Sequence, residues 1–405
     1  MKIKTIKQLR NLENKHVLVR VDFNVPIKRK KVLDDTRLHA SIPTIEYLIS
    51  KKAKVIILTH VGRPEGKVVA GLKVDPIVEE LSKLLKRKVK KIETGNFKLN
   101  DKKKLEIVKN IEKMRPGQVV MMDNIRFSPD EKKDTGTLSQ ELANLADYFV
   151  LDGFAVAHRP SASVVGVAKY LPTYAGLLLE QEIKGLEKVT EKYKKPYVAI
   201  IGGAKTETKI PVIKSLLKKA DYILIGGGIF NTYLAAKGVK VGKSLVDKNF
   251  KKEALEYCKK RKVILPVDFI VGDMEGKKFR VVAMPKGKGF LSSFGIKPAE
   301  AILDCGPETI RLYAKYIKKA QTLVWNGAMG YFEQKPYDVG TLSIARLVAS
   351  RSKGKAYGVI GGGETLQSMD MVGMNEYVDL ISTGGGAMLE FLGGKELPGV
   401  EVVKK

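Results

Sequence analysis

The stretch ISTGGGAMLEF, residues 381–391, sets three glycines between an apolar run and the start of a helical pattern. The arrangement recurs at DYILIGGGIF (221–230) and AYGVIGGGET (356–365), and with two glycines at YVAIIGGAK (197–205). An apolar run that stops at glycine and passes into a helix reads as a buried strand feeding a strand–helix turn, the repeating unit of a parallel α/β sheet. Glycine lets backbone N–H groups come close to a ligand, and the helix start behind it adds positive dipole, so such an end reads as a phosphate cradle or as a floor for a flat base. All four stretches lie in the second half of the chain. The strands of the first half end differently, in RVDFNVP (20–26), HVGRP (60–64), DNIRF (123–127) and DGFAVAHRP (152–160).

Counted outward from these ends, strand candidates cover 16–23, 53–60, 118–124 and 147–153. In the second half they cover 197–202, 221–226, 263–270, 322–327, 356–361 and 379–383. Helical stretches such as 75–87 and 207–220 alternate with them. The expected fold class is α/β, with mostly parallel sheets carrying helices on both faces. Ten strands are many for one sheet, so two domains of similar size are expected. The predicted limits are 1–174 for the first domain, rejoined by 388–405, a helical connector at 175–195, and 196–387 for the second. In the connector, Leu178, Ile183, Leu186 and Val189 approximate one helix face.

Composition narrows the class without naming a function. The 405 residues are 44% hydrophobic and 29% charged, which favours packed cores over disorder. No apolar run reaches the length of a membrane span. MKIKTIKQLR has no apolar core of a secretory signal, and Cys258 and Cys305 form no metal motif or disulfide framework, so a cytoplasmic protein is expected. The formal charge of +29 is carried mostly by lysines in runs such as KRKK (28–31) that read as solvated faces. Nucleic acid enters only as a secondary partner, through that charge.

In open α/β sheets ligands bind outside the carboxyl ends of the strands. In the first half those ends supply Asp22, Asn24, His60, Arg63, Arg126, His158 and Arg159, with Arg37 just downstream. One such arginine reads as a surface ion pair. Four at equivalent ends read as a site for phosphate or carboxylate, which guanidinium forks match in pairs of hydrogen bonds. Asp22 has two readings, a salt bridge to Arg20 or to a rim arginine, and orientation of substrate hydroxyls. In the second half Lys205 and Lys209 follow Gly202 and Gly203 and point to phosphates. Glu333 is placed to accept from ribose hydroxyls, and Glu364 with Thr365 to hold Mg²⁺ on a phosphate chain. Neither GxxxxGK[ST] nor a complete GxGxxG in context occurs. A small anion in one half and a nucleotide in the other imply phosphoryl transfer, which needs positioning and charge neutralisation. No compelling general base is present, which suits an acceptor already ionised at neutral pH.

RVDFNVP, HVGRP, DNIRF, DGFAVAHR, GGAKTETK, LPVDF, DCGPET, WNGAMGYFE, GGGET and STGGGA follow one another as in the phosphoglycerate kinases, over about residues 17–399, and the chain resembles that family. The resemblance implies two Rossmann-like domains joined by a helical hinge that closes. It implies Mg-dependent transfer between 1,3-bisphosphoglycerate and ADP, giving 3-phosphoglycerate and ATP, by a cytoplasmic monomer. It implies that Asp22, Phe23, Asn24, Arg37, His60, Val61, Gly62, Arg63, Arg126 and Arg159 hold the acid. Gly202, Gly203, Ala204, Lys205, Lys209, Gly226, Gly227, Asn326, Glu333, Gly362, Gly363, Glu364 and Thr365 are then nucleotide residues, with Glu364 on the metal. Arg37, Lys205, Gly361 and Gly384 are then catalytic, around the phosphoryl group in transit.

The sequence departs from the commonest pattern in Glu364 for aspartate, Ala328 for proline, Met388 for serine, Asp123 for glutamate and Gly153 for alanine. Some of these departures resemble archaeal branches. They put the metal geometry and the tightness of the adenine pocket in question. Two other readings stay open. A phosphotransferase for another small acid would share the glycine ends without needing the arginines. A non-catalytic RNA-binding protein would show aromatics among the basic residues.

Overall fold

The computed structural model describes residues 1–97, 101–134, 137–285 and 294–405. The chain packs as two compact units, Met1–Ile183 with Glu396–Lys405, and Lys184–Lys395.

In the first unit, β1 (His16–Arg20), β2 (Lys54–Leu58), β3 (Lys90–Ile92), β4 (Val119–Met122), β5 (Tyr148–Leu151) and β6 (Thr173–Ala175) form one sheet. Its order is β3-β4-β2-β1-β5-β6 and every pairing is parallel. Alternate residues explain the layering. Val17, Val19, Val55, Ile57, Val119, Met121 and Val150 share one core with Leu38, Ile45 and Leu48 of helix α1 (Thr36–Ser50). The residues between them, Leu18, Ile56, Val120 and Phe149, are also buried. A strand buried on both faces reads as a continuous apolar run, and these do.

The second unit contains β7 (Tyr197–Ile201), β8 (Tyr222–Ile225) and β9 (Val263–Ile264). A separate antiparallel sheet follows, built of β10 (Asp268–Gly272), β11 (Phe279–Ala283) and β12 (Ala301–Cys305), before β13 (Thr322–Asn326), β14 (Tyr357–Gly361) and β15 (Leu380–Ser382). The main sheet runs β9-β8-β7-β13-β14-β15, all parallel. The expected single strand at 263–270 is two strands in two sheets. Pro266 stands between them and has no N–H to continue a ladder. The short strands β3 and β6, and β11 with its exposed alternate residues, had no counterpart in the sequence reading, nor did β12.

Both main sheets reverse direction once. The chain winds one way from β1 to β2 and the other way through β5, and likewise from β7 to β8 and later through β13. The β1/β5 and β7/β13 crevices are the switch points at which such sheets bind ligands. Helix α2 (Leu177–Thr190) carries the chain across the boundary at 183/184. It buries Leu179, Ile183, Leu186 and Val189, so Leu179 takes the place expected for Leu178. Among the described residues no helix is long and apolar enough to cross a membrane.

Candidate active site

Because β1, β2, β4 and β5 are parallel, the residues that follow each emerge along one edge of the first unit. Asn124 fastens the loops there. Its Oδ1 accepts from the N–H of Val61 (3.2 Å) and of Arg126 (3.1 Å), while its Nδ2 donates to the carbonyls of Val61 (2.7 Å) and Leu72 (3.0 Å). The Gly62 N–H donates to Asn24 Oδ1 (2.8 Å) and Arg126 Nη1 donates to the Gly62 carbonyl (2.7 Å). Thr59 Oγ1 takes the Phe23 N–H (2.9 Å). Phe23 and Val61 are core side chains, with their N–H groups committed to these contacts, so their contribution is to the shape of the edge.

Charge is concentrated on this edge. Arg63 is exposed, and Arg37, Arg126 and Arg159 are half-buried. Asp22, a carboxylate among them, is taken by Arg37 Nη1, so its partner is a rim arginine. Arg20 is fully buried and directed elsewhere: Nε donates to Ser163 Oγ (2.8 Å), Nη1 to the Val21 carbonyl and Nη2 to His60 Nδ1 (3.2 Å). Burial and then the positive fields of Arg20, Arg159 and Arg37 hold the His60 imidazole well below its ordinary pKa, so it is neutral. Burial also lowers Arg159, with Arg63 and Arg37 adding to the effect and Asp22 opposing it. Cations that depress one another in this way are relieved by a bound anion. His16 and His39 stand apart, His16 against the Ile111 carbonyl and His39 one helical turn from Asp35.

In the second unit the glycine ends divide into two kinds. A β-carbon on Gly202 would lie 2.1 Å from the Ala328 carbonyl oxygen. On Gly227, at φ +56°, it would lie 2.9 Å from the Gly203 nitrogen. Their N–H groups are spent within the protein: Gly202 on Asn326 O (3.0 Å), Gly203 on Ala328 O (2.6 Å), Gly226 on Ile201 O and Gly227 on Met329 O (both 3.0 Å). These glycines let the loops after β7, β8 and β13 lie backbone against backbone. Of the two roles expected of them, a phosphate cradle or a floor for a flat base, these committed N–H groups leave these four the floor. Gly363, Gly385 and Gly386 are the other kind, with nothing within 4 Å of an added β-carbon. They open α5 (Gly363–Val372) and α6 (Gly386–Leu392), where helix N–H groups point outward.

A cavity of about 420 Å³ lies over the floor, within the range of a small-molecule site. Ala204, Glu333 and Glu364 line it, together with the apolar side chains of Phe230, Leu245 and Met274. Beside the floor Lys209 is buried and hydrogen-bonded to Asn326 Oδ1, whose Nδ2 donates to the Gly361 carbonyl (2.6 Å). Burial lowers the Lys209 ammonium to about 8, with Glu364 pulling the other way. Thr365 Oγ1 takes the Gly327 N–H (2.7 Å) and Glu364 Oε2 the Ala328 N–H (3.4 Å). Lys205 is exposed and Gly384 donates to Ser382 Oγ (3.1 Å). Trp325 is core, with its indole N–H on the Gly327 carbonyl (2.9 Å).

Three departures from the family pattern have a local account. Met388 is fully buried against Gly361, where an added β-carbon would meet its sulfur at 2.1 Å. Asp123 accepts the Asn124 N–H (2.9 Å) and pairs with Lys91 (3.3 Å). Gly153 backs onto the Asp22 nitrogen, 3.1 Å from where a β-carbon would stand. The sequence reading missed Asn124 as a clamp and left Arg20 and a rim arginine as alternative partners of Asp22, because both roles depend on side chains distant in the chain.

The sequence model of the phosphoglycerate kinase family matches residues 6–395. The phosphoglycerate kinase of Moorella thermoacetica is 43% identical over 406 residues, covering 98% of each chain. That of Borrelia garinii subsp. bavariensis is 40% identical over 410 residues, covering 100% of each. Among solved structures, phosphoglycerate kinase from Coxiella burnetii superposes with a TM-score of 0.83 at 37% identity, over 99% of this chain and 98% of that one. The enzyme from Pyrococcus horikoshii OT3 gives 0.83 at 31% identity over the same shares.

Proposed function

This chain belongs to the phosphoglycerate kinase family, an ATP/ADP-dependent kinase acting on a carboxyl group, and we propose that its two strand-end edges divide that reaction. On this reading the arginine edge of the first unit, the acid domain, holds 3-phosphoglycerate or 1,3-bisphosphoglycerate. Arg63, Arg126 and Arg159 anchor it, His60 donates to it, and Asn24 and Asp22 orient it and Arg37. The second unit is the nucleotide domain. Its cavity takes the base, Glu333 the ribose, Lys209 and the α5 start with Gly362, Gly363 and Thr365 the phosphates. Arg37, Lys205 and the helix starts at Gly361 and Gly384 face the phosphoryl group as it passes. The observation that carries the reading is the four-arginine edge, whose buried carboxylate Asp22 is already held by Arg37.

Mg²⁺ is held by one or two carboxylates and by substrate phosphates. Glu364 fits that demand: it lines the cavity beside Lys209, at the start of α5, and would hold the ion together with phosphate oxygens. When bound, the ion neutralises charge on the phosphate chain. The protein's own residues do the rest by positioning. Neither His60, whose Nδ1 accepts from Arg20, nor Asp22, held by Arg37, is available as a base, and an ionised carboxylate acceptor needs none. A cytoplasmic monomer completes the reading, in keeping with the free and buried Cys258 and Cys305.

The test is turnover of 3-phosphoglycerate with Mg·ATP, coupled to NADH oxidation through glyceraldehyde-3-phosphate dehydrogenase. Turnover that Arg37→Ala lowers by about a hundredfold or more supports the assignment. Turnover that survives Arg37→Ala unchanged removes that arginine from the reaction.

A further inference from the structure

A train of buried polar side chains runs inward from the arginine edge. Glu131 is 2% exposed. Its Oε1 accepts from Ser161 Oγ (3.0 Å) and Ser163 Oγ (2.6 Å), and its Oε2 from the Ser163 N–H (3.0 Å). Ser163 Oγ in turn accepts from Arg20 Nε (2.8 Å), and Arg20 Nη2 meets His60 Nδ1 (3.2 Å). Each link has one direction. A guanidinium only donates, so the lone pair of His60 Nδ1 faces Arg20 and the ring proton sits on Nε2. Ser163 accepts from Arg20 and spends its own proton on Glu131.

The train joins three separate loops. Glu131 follows the DNIRF loop, Ser163 lies in the turn Ala162–Gly166 after the AHR loop, and Arg20 ends β1. A buried carboxylate facing a buried guanidinium through a hydroxyl is also expensive to leave half made. The groups facing His60 from all sides are Arg20, Asp22, Arg37 and Arg159. Of these, Arg20 is the one held by the buried Ser163 and Glu131, while Asp22 and Arg37 hold each other and Arg159 Nε lies on His158 Nε2 (3.3 Å).

We infer that Glu131, acting through Ser163 and Arg20, is a positioning residue that locks His60 as the Nε2–H tautomer, a hydrogen-bond donor to the bound acid. Glu131 is buried behind Ser163 and Arg20, so any effect on the edge passes through them. Its carboxylate fixes the acceptor geometry of Ser163, which fixes the rotation of the Arg20 fork. The fork then decides which imidazole nitrogen carries the proton. The inference rests on the acid-site reading for its consequence, but the tautomer is set in the free protein.

The experiment is ¹⁵N NMR of histidine-labelled full-length protein without ligand, with kinetics on the same samples. The four histidines keep the spectrum readable. In the wild type, His60 is expected to hold the Nε2–H signature, without titrating, from about pH 5.5 to about pH 8. In Ser163→Ala and Glu131→Gln, judged folded by their amide spectra, the signature is expected to give way to mixed tautomers. KM for 3-phosphoglycerate is expected to rise about tenfold, the value of one lost charge-assisted bond, with KM for Mg·ATP unchanged. Ser163→Thr restores the hydroxyl and is expected to restore both. Wild-type His60 shifts in Ser163→Ala overturn the inference, and that variant decides alone should Glu131→Gln fail to fold. Altered shifts with no turnover of 3-phosphoglycerate even in the wild type would uphold the lock while removing the acid reading.

Discussion

At the scale of the residue, the molecule assigns charge by what it leaves unpaired. Lys205 is exposed at the edge proposed for the nucleotide, so Lys205→Ala is expected to lower kcat by about a hundredfold or more, with KM for either substrate within a few fold. Steady-state kinetics check this, and a near-normal kcat would remove Lys205 from the transfer. Lys209 makes a prediction about pH. Its folded pKa of about 8 lies below the ordinary lysine value because burial penalises the ammonium. A phosphate chain favours the ammonium and raises that pKa, so binding takes up a proton near pH 8. Affinity for Mg·ADP is therefore expected to fall as pH rises through about 8. Lys209→Met is expected to bind more weakly and to lose this dependence. Calorimetry in two buffers of different ionisation enthalpy reads the proton directly.

At the scale of the element, much of the molecule was legible in its sequence. Parallel strands buried on both faces show as unbroken apolar runs, and their carboxyl ends fall on one edge, so RVDFNVP, HVGRP, DNIRF and DGFAVAHR could be placed together before any coordinates. The role of the individual glycines was not legible. Cradle and floor both stayed open for four of them, and only the structure decides, since Gly202, Gly203, Gly226 and Gly227 donate to neighbouring loops. Which carbonyl faces which glycine depends on sheet order, and strand order is not written locally. The 263–270 run failed for a related reason: its apolar composition hid a change of sheet at Pro266. The two kinds of glycine differ in their predicted response to substitution. Gly227→Ala puts a side chain at φ +56° against the Gly203 backbone and is expected to destabilise the second unit by about 1–3 kcal/mol. Gly386→Ala meets nothing within 4 Å at the first residue of α6, and is expected to leave stability unchanged or raise it by up to about 1 kcal/mol while lowering kcat. Denaturant melts and kinetics on both variants check this, and equal destabilisation would merge the two classes.

At the scale of the whole molecule, each unit carries its own sheet and its own switch-point crevice, and the proposed function gives each its own ligand. Among the described residues the arginine edge has no glycine floor and the glycine floor no arginine cluster, so on the proposed reading each edge suits a different substrate. The excess of positive charge is spread over many lysines that neither edge uses. The acid edge should therefore be separable from the nucleotide edge by single substitutions in the full chain. The direct test of that division is calorimetric binding of 3-phosphoglycerate and of Mg·ADP, each alone, to the wild type, Arg126→Ala and Lys209→Met. The account predicts that Arg126→Ala weakens 3-phosphoglycerate by about tenfold or more and leaves Mg·ADP within about twofold, with the reverse for Lys209→Met. A substitution on one edge that weakens both ligands alike would contradict it.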